Sequence, residues 1–408
     1  MKRRDFLTAA GSISAASALT PFYSAAAKTP CPPPTLFPDG GTTVTSSCAG
    51  TLPSYDYLNT MTAFQVRQLS GTYAPTNGKT TIQEATPAEW LNRDPGLSGL
   101  RSVTGKWSGG VGDPGTGKLY MLGGGHNDSA NNGLYVYDFS GNLAPTGFTV
   151  ASQSAVSSVI AGTNIKQYSD GNISARHTYD GIAFINSKVY VFGGANWSTN
   201  GNFANDYWKF ENGVWSLLGA MPDSGERSSC IADPVSGKIL HWIVGHGTAS
   251  FLNTATNTWG AAKNVGSGTT DYTSLCLDTT RNRVVSIGGG INRLWTVNWS
   301  TETISQSTFP QSSILNTPAI TPVYDALRDR FWILGGNGGS LGYTNLYEMH
   351  PTTFAIIAHP LTGDLIPDPD TDGDSTGLGS YKRGLLINSQ AIGFVSNTIA
   401  PPIVIKLP

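Results

Sequence analysis

Residues 118–128 read Lys-Leu-Tyr-Met-Leu-Gly-Gly-Gly-His-Asn-Asp, a short apolar run that ends in three glycines and a polar loop. A second apolar run, Leu-Tyr-Val-Tyr-Asp, follows at residues 134–138. Short runs of this kind, separated by glycine-containing loops, indicate β-strands. The glycine and loop pattern recurs downstream at residues 193–197, 245–247, 288–293 and 335–337. Such recurrence indicates an internal repeat, and the repeat decides the fold class.

The composition agrees with a large all-β protein. The chain has 408 residues, 13% of them charged, with a net charge of −2 and 49 glycines. This near-neutral balance argues against a nucleic-acid partner, which requires a clustered excess of Lys and Arg. No stretch after the N-terminus is apolar for long enough to span a bilayer, so we expect no membrane insertion. We expect residues 51–408 to form a single domain and the protein to be a monomer.

The N-terminal residues have the organisation of an export signal. Residues 1–27 combine a basic start, an apolar Ala-rich run and small residues suited to cleavage. The segment Arg-Arg-Asp-Phe-Leu at residues 3–7 resembles the twin-arginine export signal, and an ordinary secretory signal is the alternative. Both predict a periplasmic or secreted protein.

The four cysteines fall into two pairs. Residues 28–50 are rich in Pro, Thr and Ser and are predicted to be a linker, in which Cys31 could pair with Cys48 in an oxidising compartment. Cys230 and Cys276 occupy similar places in successive repeats. They are predicted to form either a disulfide or a pair of buried, unpaired thiols.

The repeat units begin at about residue 101 and recur about every 45–70 residues, each with four predicted strands and glycines after the second strand. This arrangement resembles the kelch repeat of galactose-oxidase-like β-propellers. The last unit lacks a fourth strand, and the strand-like run 62–69 is predicted to supply it, which closes the ring and leaves no free edge. We therefore predict an all-β, kelch-type propeller of six blades. A seventh blade built from residues 50–100 is the alternative.

The kelch resemblance implies that two kinds of loop open at one end of the ring, near its axis. These are the loops after the glycines and the loops before each first strand. The catalytic candidates on or next to these loops are His126, His177, Tyr179 and Tyr272. The substrate-binding candidates are Asn127, Arg176, Trp197, Arg227, His246, Arg293, Asn337 and Arg383. For the arginines, the alternative is a structural role in binding backbone carbonyls.

A cationic pocket with aromatic rings suits an anionic oligo- or polysaccharide. The predicted reaction is β-elimination on a uronate-containing glycan, for which His126 or His177 is the candidate base and Tyr179 or Tyr272 the candidate acid. Arg176 and Arg227 would neutralise the carboxylate. Some polysaccharide lyases are propellers that use His, Tyr and Arg, and this chain is similar to them in kind.

Other functions remain open at this point. The main alternative is a kelch module that binds a glycan or a protein without catalysis. A copper oxidase similar to galactose oxidase needs a Cys beside the pocket, which the predicted loops lack. A sugar mutarotase of the same fold needs only Arg, Glu and His around the cavity.

An acidic segment near the C-terminus resembles the start of a calcium-binding loop. Glycine occupies the sixth position, Gly373, and carboxylates occupy every second position at Asp368, Asp370, Asp372 and Asp374. The twelfth position is Gly379 rather than Glu, which removes the bidentate ligand and argues against an EF-hand. A structural Ca²⁺ site is one prediction, and an acidic surface loop is the alternative.

Overall fold

The computed structural model describes residues 53–160, 162, 165–197, 203–223, 227–243, 246–266, 272–288, 292–310, 314–335, 343–367 and 379–408. The predicted signal and linker lie outside these ranges. Within the ranges, no helix has both the length and the apolar character needed to cross a membrane.

The N-terminal part of the described chain contains one strand and short helices. The strand is β1 (Gln65–Gln68), and the helices are α1 (Ile82–Ala85), α2 (Ala88–Arg93) and α3 (Ser102–Gly105). Single 3₁₀ turns occur at Asp56–Thr60, Gly71–Tyr73, Gly99–Arg101 and Val156–Ser158. Helix α1 starts with a capping box, in which Thr81 accepts from the Glu84 N–H and Glu84 accepts from the Thr81 N–H.

The first three blades follow in chain order. Blade 1 consists of β2 (Gly110–Asp113), β3 (Lys118–Leu122), β4 (Leu134–Asp138) and β5 (Gly147–Ser152). Next come the short β6 (Arg176–His177) and its partner β9 (Ala195–Asn196), which flank the first strands of blade 2. Blade 2 consists of β7 (Ile182–Ile185), β8 (Lys188–Phe192), β10 (Asp206–Glu211) and β11 (Val214–Ala220). Blade 3 consists of β12 (Ser228–Asp233), β13 (Lys238–Ile243), β14 (Thr248–Asn253), β15 (Thr258–Trp259) and β16 (Lys263–Asn264).

The remaining three blades complete the fold. Blade 4 consists of β17 (Ser274–Asp278), β18 (Arg283–Ile287), β19 (Arg293–Asn298) and β20 (Thr303–Thr308). Blade 5 consists of β21 (Thr321–Asp325), β22 (Arg330–Leu334), β23 (Asn345–Met349) and β24 (Ile356–Pro360). Blade 6 consists of β25 (Thr362–Gly363), β26 (Gly384–Ile387), β27 (Ala391–Phe394), β28 (Ile403–Lys406) and the N-terminal β1.

The ring is closed by β1, as predicted. This strand pairs antiparallel with β28, with Val66 opposite Ile405, and its other edge is covered by the parallel β25. The first strands of successive blades contact one another in the cyclic order β2, β7, β12, β17, β21 and β26, and β26 returns to β2. The six-bladed β-propeller is therefore confirmed. The seven-bladed alternative is wrong, because residues 53–100 supply short helices and one strand of blade 6 rather than a separate sheet.

Large aromatic side chains fill the spaces between neighbouring blades. Trp242 of blade 3 and Trp295 of blade 4 are fully buried and meet edge to face, with ring centroids 5.0 Å apart. Trp332 of blade 5 packs against Ile392 and Ile405 of blade 6. Burial of one such indole contributes about 4–6 kcal/mol in transfer free energy, so the blade interfaces hold the ring together.

Glycines after the second strands of blades 1 and 2 allow close contacts with neighbouring backbone. Gly125 has φ = +86°, and a Cβ at this position would be 2.3 Å from the Cα of Arg176. Gly194 has φ = +89°, and its Cβ would be 2.2 Å from the His177 carbonyl oxygen. Only glycine fits at these two positions, so Gly125 lets the loop of blade 1 lie against β6 and β9, and Gly194 lets the chain before β9 lie against β6.

Candidate functional site

The strand pairing places the predicted loops at one end of the ring. In an antiparallel hairpin, the start of the first strand lies beside the end of the second strand, as Gly110 does beside Met121 in blade 1. The first strands of neighbouring blades run parallel, because Asp180 and Ser229 form a parallel bridge. The loops before the first strands and after the second strands therefore share one end of the propeller, which we call the loop end.

His126 is held at the loop end by the backbone of blade 2. Its N–H donates to the Asn196 carbonyl at 3.0 Å, and His126 bridges in parallel to Trp197. The residue adopts φ = 50°, a left-handed conformation that non-glycine residues adopt infrequently. Its side chain remains exposed to solvent. A strained backbone that presents an exposed imidazole is typical of a functional loop.

His177 and Asp128 form a hydrogen-bonded pair behind His126. Nε2 of His177 lies 2.9 Å from Oδ2 of Asp128, and the His177 side chain is only 2% exposed. Ser98 Oγ donates to the other carboxylate oxygen at 3.2 Å. Burial acts to raise the pKa of Asp128, but the hydrogen bond from His177 and the charges of His177 and Lys106 hold this pKa below its ordinary value. The ionised carboxylate thus orients the imidazole.

Aromatic contacts connect this pair to the centre of the ring. The imidazoles of His126 and His177 stack with centroids 5.6 Å apart, and the Trp107 ring lies 5.1 Å from that of His177. Tyr179 contacts His177 edge to face at 6.2 Å and Tyr272 in a stacked arrangement at 6.5 Å.

Arg227 extends the array to the start of blade 3. Its guanidinium carbon lies 5.7 Å from the centroid of the Tyr272 ring, a cation–π distance. Both side chains are partly exposed, whereas Tyr179 is 3% exposed. We call His126, Asp128, His177, Trp107, Tyr179, Tyr272 and Arg227 the axial array. Within it, His126, Arg227 and Tyr272 are ionisable side chains that solvent reaches.

The structure brings together the four predicted catalytic residues, together with Arg227 and the neighbouring Asn127. Three other predicted binding arginines point elsewhere. Arg176 is fully buried, pairs with Asp206 at 3.2 Å and donates to the Gly193 carbonyl, so its position does not support a role in holding substrate.

Arg293 and Arg383 also bind backbone carbonyls. Nη1 of Arg293 donates to the Val265 carbonyl at 2.6 Å, and the guanidinium lies over the ring of Trp242. Arg383 is fully buried and donates to the Val395 and Ser108 carbonyls. Burial lowers the pKa of Arg383 to about 10. These positions favour the structural alternative for both arginines.

The side chains of Trp197 and His246 are likewise outside the axial array. Trp197 is 7% exposed and packs with Trp90 and Tyr168. The His246 side chain is 48% exposed and pairs with Asp223 at 2.9 Å. Among the described residues, neither side chain makes a ring contact with the array. The backbone of Trp197 bridges to His126, but its indole is buried, so the geometry does not support a binding role for either side chain.

Other predicted residues lie outside the described ranges. They are Asn337, Asp368, Asp370, Asp372 and Asp374. Within the described ranges, no group of three or more His, Cys, Asp or Glu side chains is arranged to hold a metal ion. Cys230 and Cys276 are both buried free thiols, so the unpaired alternative holds for this pair.

Asp128 and Trp107 belong to the axial array and Tyr381 contacts it, but none of the three was predicted from the sequence to be a site residue. Asp128 lies two residues after His126 in the stretch that defines the repeat, so its proximity to a histidine loop was an available signal. Tyr381 lies 5.9 Å from the Tyr179 ring and is 1% exposed. Burial raises its pKa well above the ordinary value. Trp107 and Tyr381 carry no local pattern that distinguishes them from core residues.

Comparison with known proteins does not assign the chain to a family. No family model matches the chain, and no curated protein is significantly similar to it.

Proposed function

We propose that the protein is an exported, kelch-like propeller that binds an acidic carbohydrate at its loop end and cleaves it by β-elimination. The observation that carries this proposal is the axial array, in which a His177–Asp128 pair at 2.9 Å backs the exposed His126. The partly exposed Tyr272 and Arg227 belong to the same array. The array combines a base, an acid and a cation, the three groups that the reaction requires.

The exposure of the side chains selects among the candidates for each role. His126 removes the proton next to the uronate carboxylate, since His177 is buried and suited to positioning His126. Arg227 neutralises the carboxylate and so acidifies that proton. The electron pair forms the new carbon–carbon double bond as the glycosidic carbon–oxygen bond breaks. Tyr272 gives its proton to the leaving oxygen, because Tyr179 is only 3% exposed.

A panel of polyuronates tests the reaction. We expect the purified protein to produce an unsaturated uronate end, measured by its ultraviolet absorbance. His126→Ala is expected to lower turnover by about 10²–10⁴-fold, the range for loss of an acid–base group. Arg227→Ala is expected to lower it by about 10²–10³-fold, the range for loss of one electrostatic stabiliser. His246→Ala is the matched control, because it removes an exposed histidine outside the array. The lyase proposal fails if no polyuronate yields unsaturated product, or if His126→Ala retains full turnover.

A glycan-binding module without catalysis is the second candidate. This function is favoured because His177 and Tyr179 are buried, whereas the rings of Trp107 and Tyr272 are partly exposed and offer surfaces on which a sugar ring can stack. A glycan array with the wild type and His126→Ala separates the two functions. Binding that survives the substitution, without turnover in either protein, supports the module.

The export part of this proposal rests on residues 1–27 and the kelch part on the repeated glycines. A fusion of residues 1–27 to a reporter, with an Arg3→Lys, Arg4→Lys variant as its control, tests the export route. We expect the reporter to leave the cytoplasm and the variant to remain inside. Equal export of both fusions would favour an ordinary secretory signal.

A further inference from the structure

A buried ion pair adjoins the axial array, because one of its members, Asp180, directly follows Tyr179 in the chain. Nζ of Lys382 is 2.7 Å from Oδ1 of Asp180, with side chains 11% and 1% exposed. The same Nζ donates to the Cys230 carbonyl at 2.7 Å. The second carboxylate oxygen of Asp180 accepts from the Leu275 N–H at 3.0 Å.

These contacts join four blades across the central channel. Asp180 precedes the first strand of blade 2 and Lys382 that of blade 6, while Cys230 and Leu275 belong to the first strands of blades 3 and 4. The pair cannot belong to one blade interface, because blades 2 and 6 are not neighbours in the ring. It therefore occupies the space enclosed by the first strands.

The residues next to this pair form the inner part of the candidate site. Tyr179 precedes Asp180, Tyr381 precedes Lys382, and the two phenol rings meet edge to face at 5.9 Å. Tyr179, Tyr381 and Lys382 have φ values of 47°, 33° and 59°. Left-handed conformations of bulky residues persist only where the surroundings enforce them. Hydrogen bonds from the Tyr179 and Tyr381 N–H groups to the Trp107 and Ala319 carbonyls hold the two tyrosines, and the buried ion pair constrains the residue that follows each of them.

We propose that Lys382 and Asp180 are positioning residues whose ion pair closes the central channel beneath the axial array. The same ion pair holds Tyr179 and Tyr381 in place as the floor, that is, the inner surface, of the candidate site. The claim that the ion pair closes the channel does not depend on the proposed reaction. The claim that Tyr179 and Tyr381 are positioned for a substrate does rest on the proposed function. A ligand would thus reach the array from the loop end alone. Burial raises the pKa of Asp180 to about 7 against the opposing charge of Lys382, so we expect a variant without the lysine to hold a neutral acid rather than a buried, unpaired charge.

The test measures access to the thiols next to the pair. The mature protein, with Lys382→Met, Asp180→Asn or Lys238→Met, is exposed to a small alkylating reagent, and labelled cysteines are identified by peptide mass. Lys238 is the matched control, since its ion pair with Glu302 has the same 2.7 Å length but lies away from the channel. We expect Cys230 and Cys276 to be protected in the wild type and the control. Labelling at least about tenfold faster is expected in both channel variants, with native circular dichroism.

Thiol protection unchanged in both folded channel variants would overturn the closing of the channel. If Lys382→Met does not fold, Asp180→Asn decides, because its amide keeps the shape of the carboxylate. The positioning of Tyr179 and Tyr381 is tested by turnover of Lys382→Met and Asp180→Asn on whichever polyuronate proves to be a substrate. We expect a lower kcat with an unchanged KM, and equal kcat values in the wild type and both variants would overturn the positioning role. The thiol result stands even if no polyuronate is a substrate, which separates failure of this inference from failure of the proposed function.

Discussion

The stability of the protein should depend on the protonation of one buried histidine. His241 lies in β13, is 3% exposed and packs between the rings of Phe192 and Trp259 at 5.1 and 5.7 Å. Its Nε2 is 3.1 Å from Ser228 Oγ. Burial lowers the pKa of His241 to about 4 from its ordinary value of 6.5, against the opposing charge of Asp223.

The sign and size of the effect follow from linkage. Because burial favours the neutral imidazole in the folded protein, His241 makes its full contribution to the free energy of unfolding above pH 6.5. This contribution is lost as the pH falls towards about 4. At about 1.36 kcal/mol per pKa unit, this difference corresponds to about 3 kcal/mol. A His241→Gln variant removes the titration and keeps a partner for Ser228.

Denaturant unfolding of the wild type and His241→Gln, from about pH 7 to about pH 4, measures the effect. Carboxylates titrate in both proteins, so the difference between their free energies of unfolding isolates His241. We expect that difference to change by about 3 kcal/mol in favour of the variant at acid pH. His246→Gln controls for the loss of an imidazole as such. A difference that is the same at both ends of the pH range would refute the reasoning.

Four further predictions concern the site, the fold and the acidic segment. The pKa of Asp128 is lower in the folded protein, so its ionised carboxylate stabilises the fold above pH 3.8 and Asp128→Asn should be less stable than the wild type there. This difference in the free energy of unfolding should disappear as the pH falls below 3.8 and the carboxylate becomes protonated, which denaturant unfolding at acid pH measures. Gly125→Ala should destabilise the protein by about 3 kcal/mol in the same assay, since its Cβ would meet backbone atoms of blade 2. Val66→Asp should cost about 3 kcal/mol or more, seen as a lower melting temperature, because it places a charge in the closing strand where the side chain is 2% exposed. If the acidic segment binds Ca²⁺, the ion should raise the melting temperature of the wild type and not that of Asp370→Ala; equal shifts in both would favour a surface loop.

The blade pattern was predictable because it is local. Alternating apolar residues mark each strand, and the glycines mark each second strand whatever lies next to it. The closing strand followed from a count, since the last repeat lacked one strand and an unassigned run at residues 62–69 preceded the first repeat. The meeting of His126 with His177 followed from the kelch resemblance alone, and the structure brings the two rings to 5.6 Å.

The roles of the arginines were not predictable in the same way. Arg176, Arg227, Arg293 and Arg383 all occur at positions that the sequence predicts as loops, yet of these four only Arg227 is partly exposed within the axial array. The difference lies in carbonyls and a carboxylate from other segments, such as Asp206 for Arg176. A guanidinium has five donors and binds whichever acceptors the tertiary structure places around it.

The amino-acid sequence by itself determined a repeat of all-β units with four strands each and identified the N-terminal run that completes the last unit. These properties depend on the period of apolar residues and on glycines, which act within a few residues of the chain. Only the tertiary structure decided which side chains at that end are exposed, that Asp128 orients His177, and that Lys382 reaches Asp180 across the channel. Burial and pairing depend on groups that are distant in the chain, and these contacts exist only once the ring has closed.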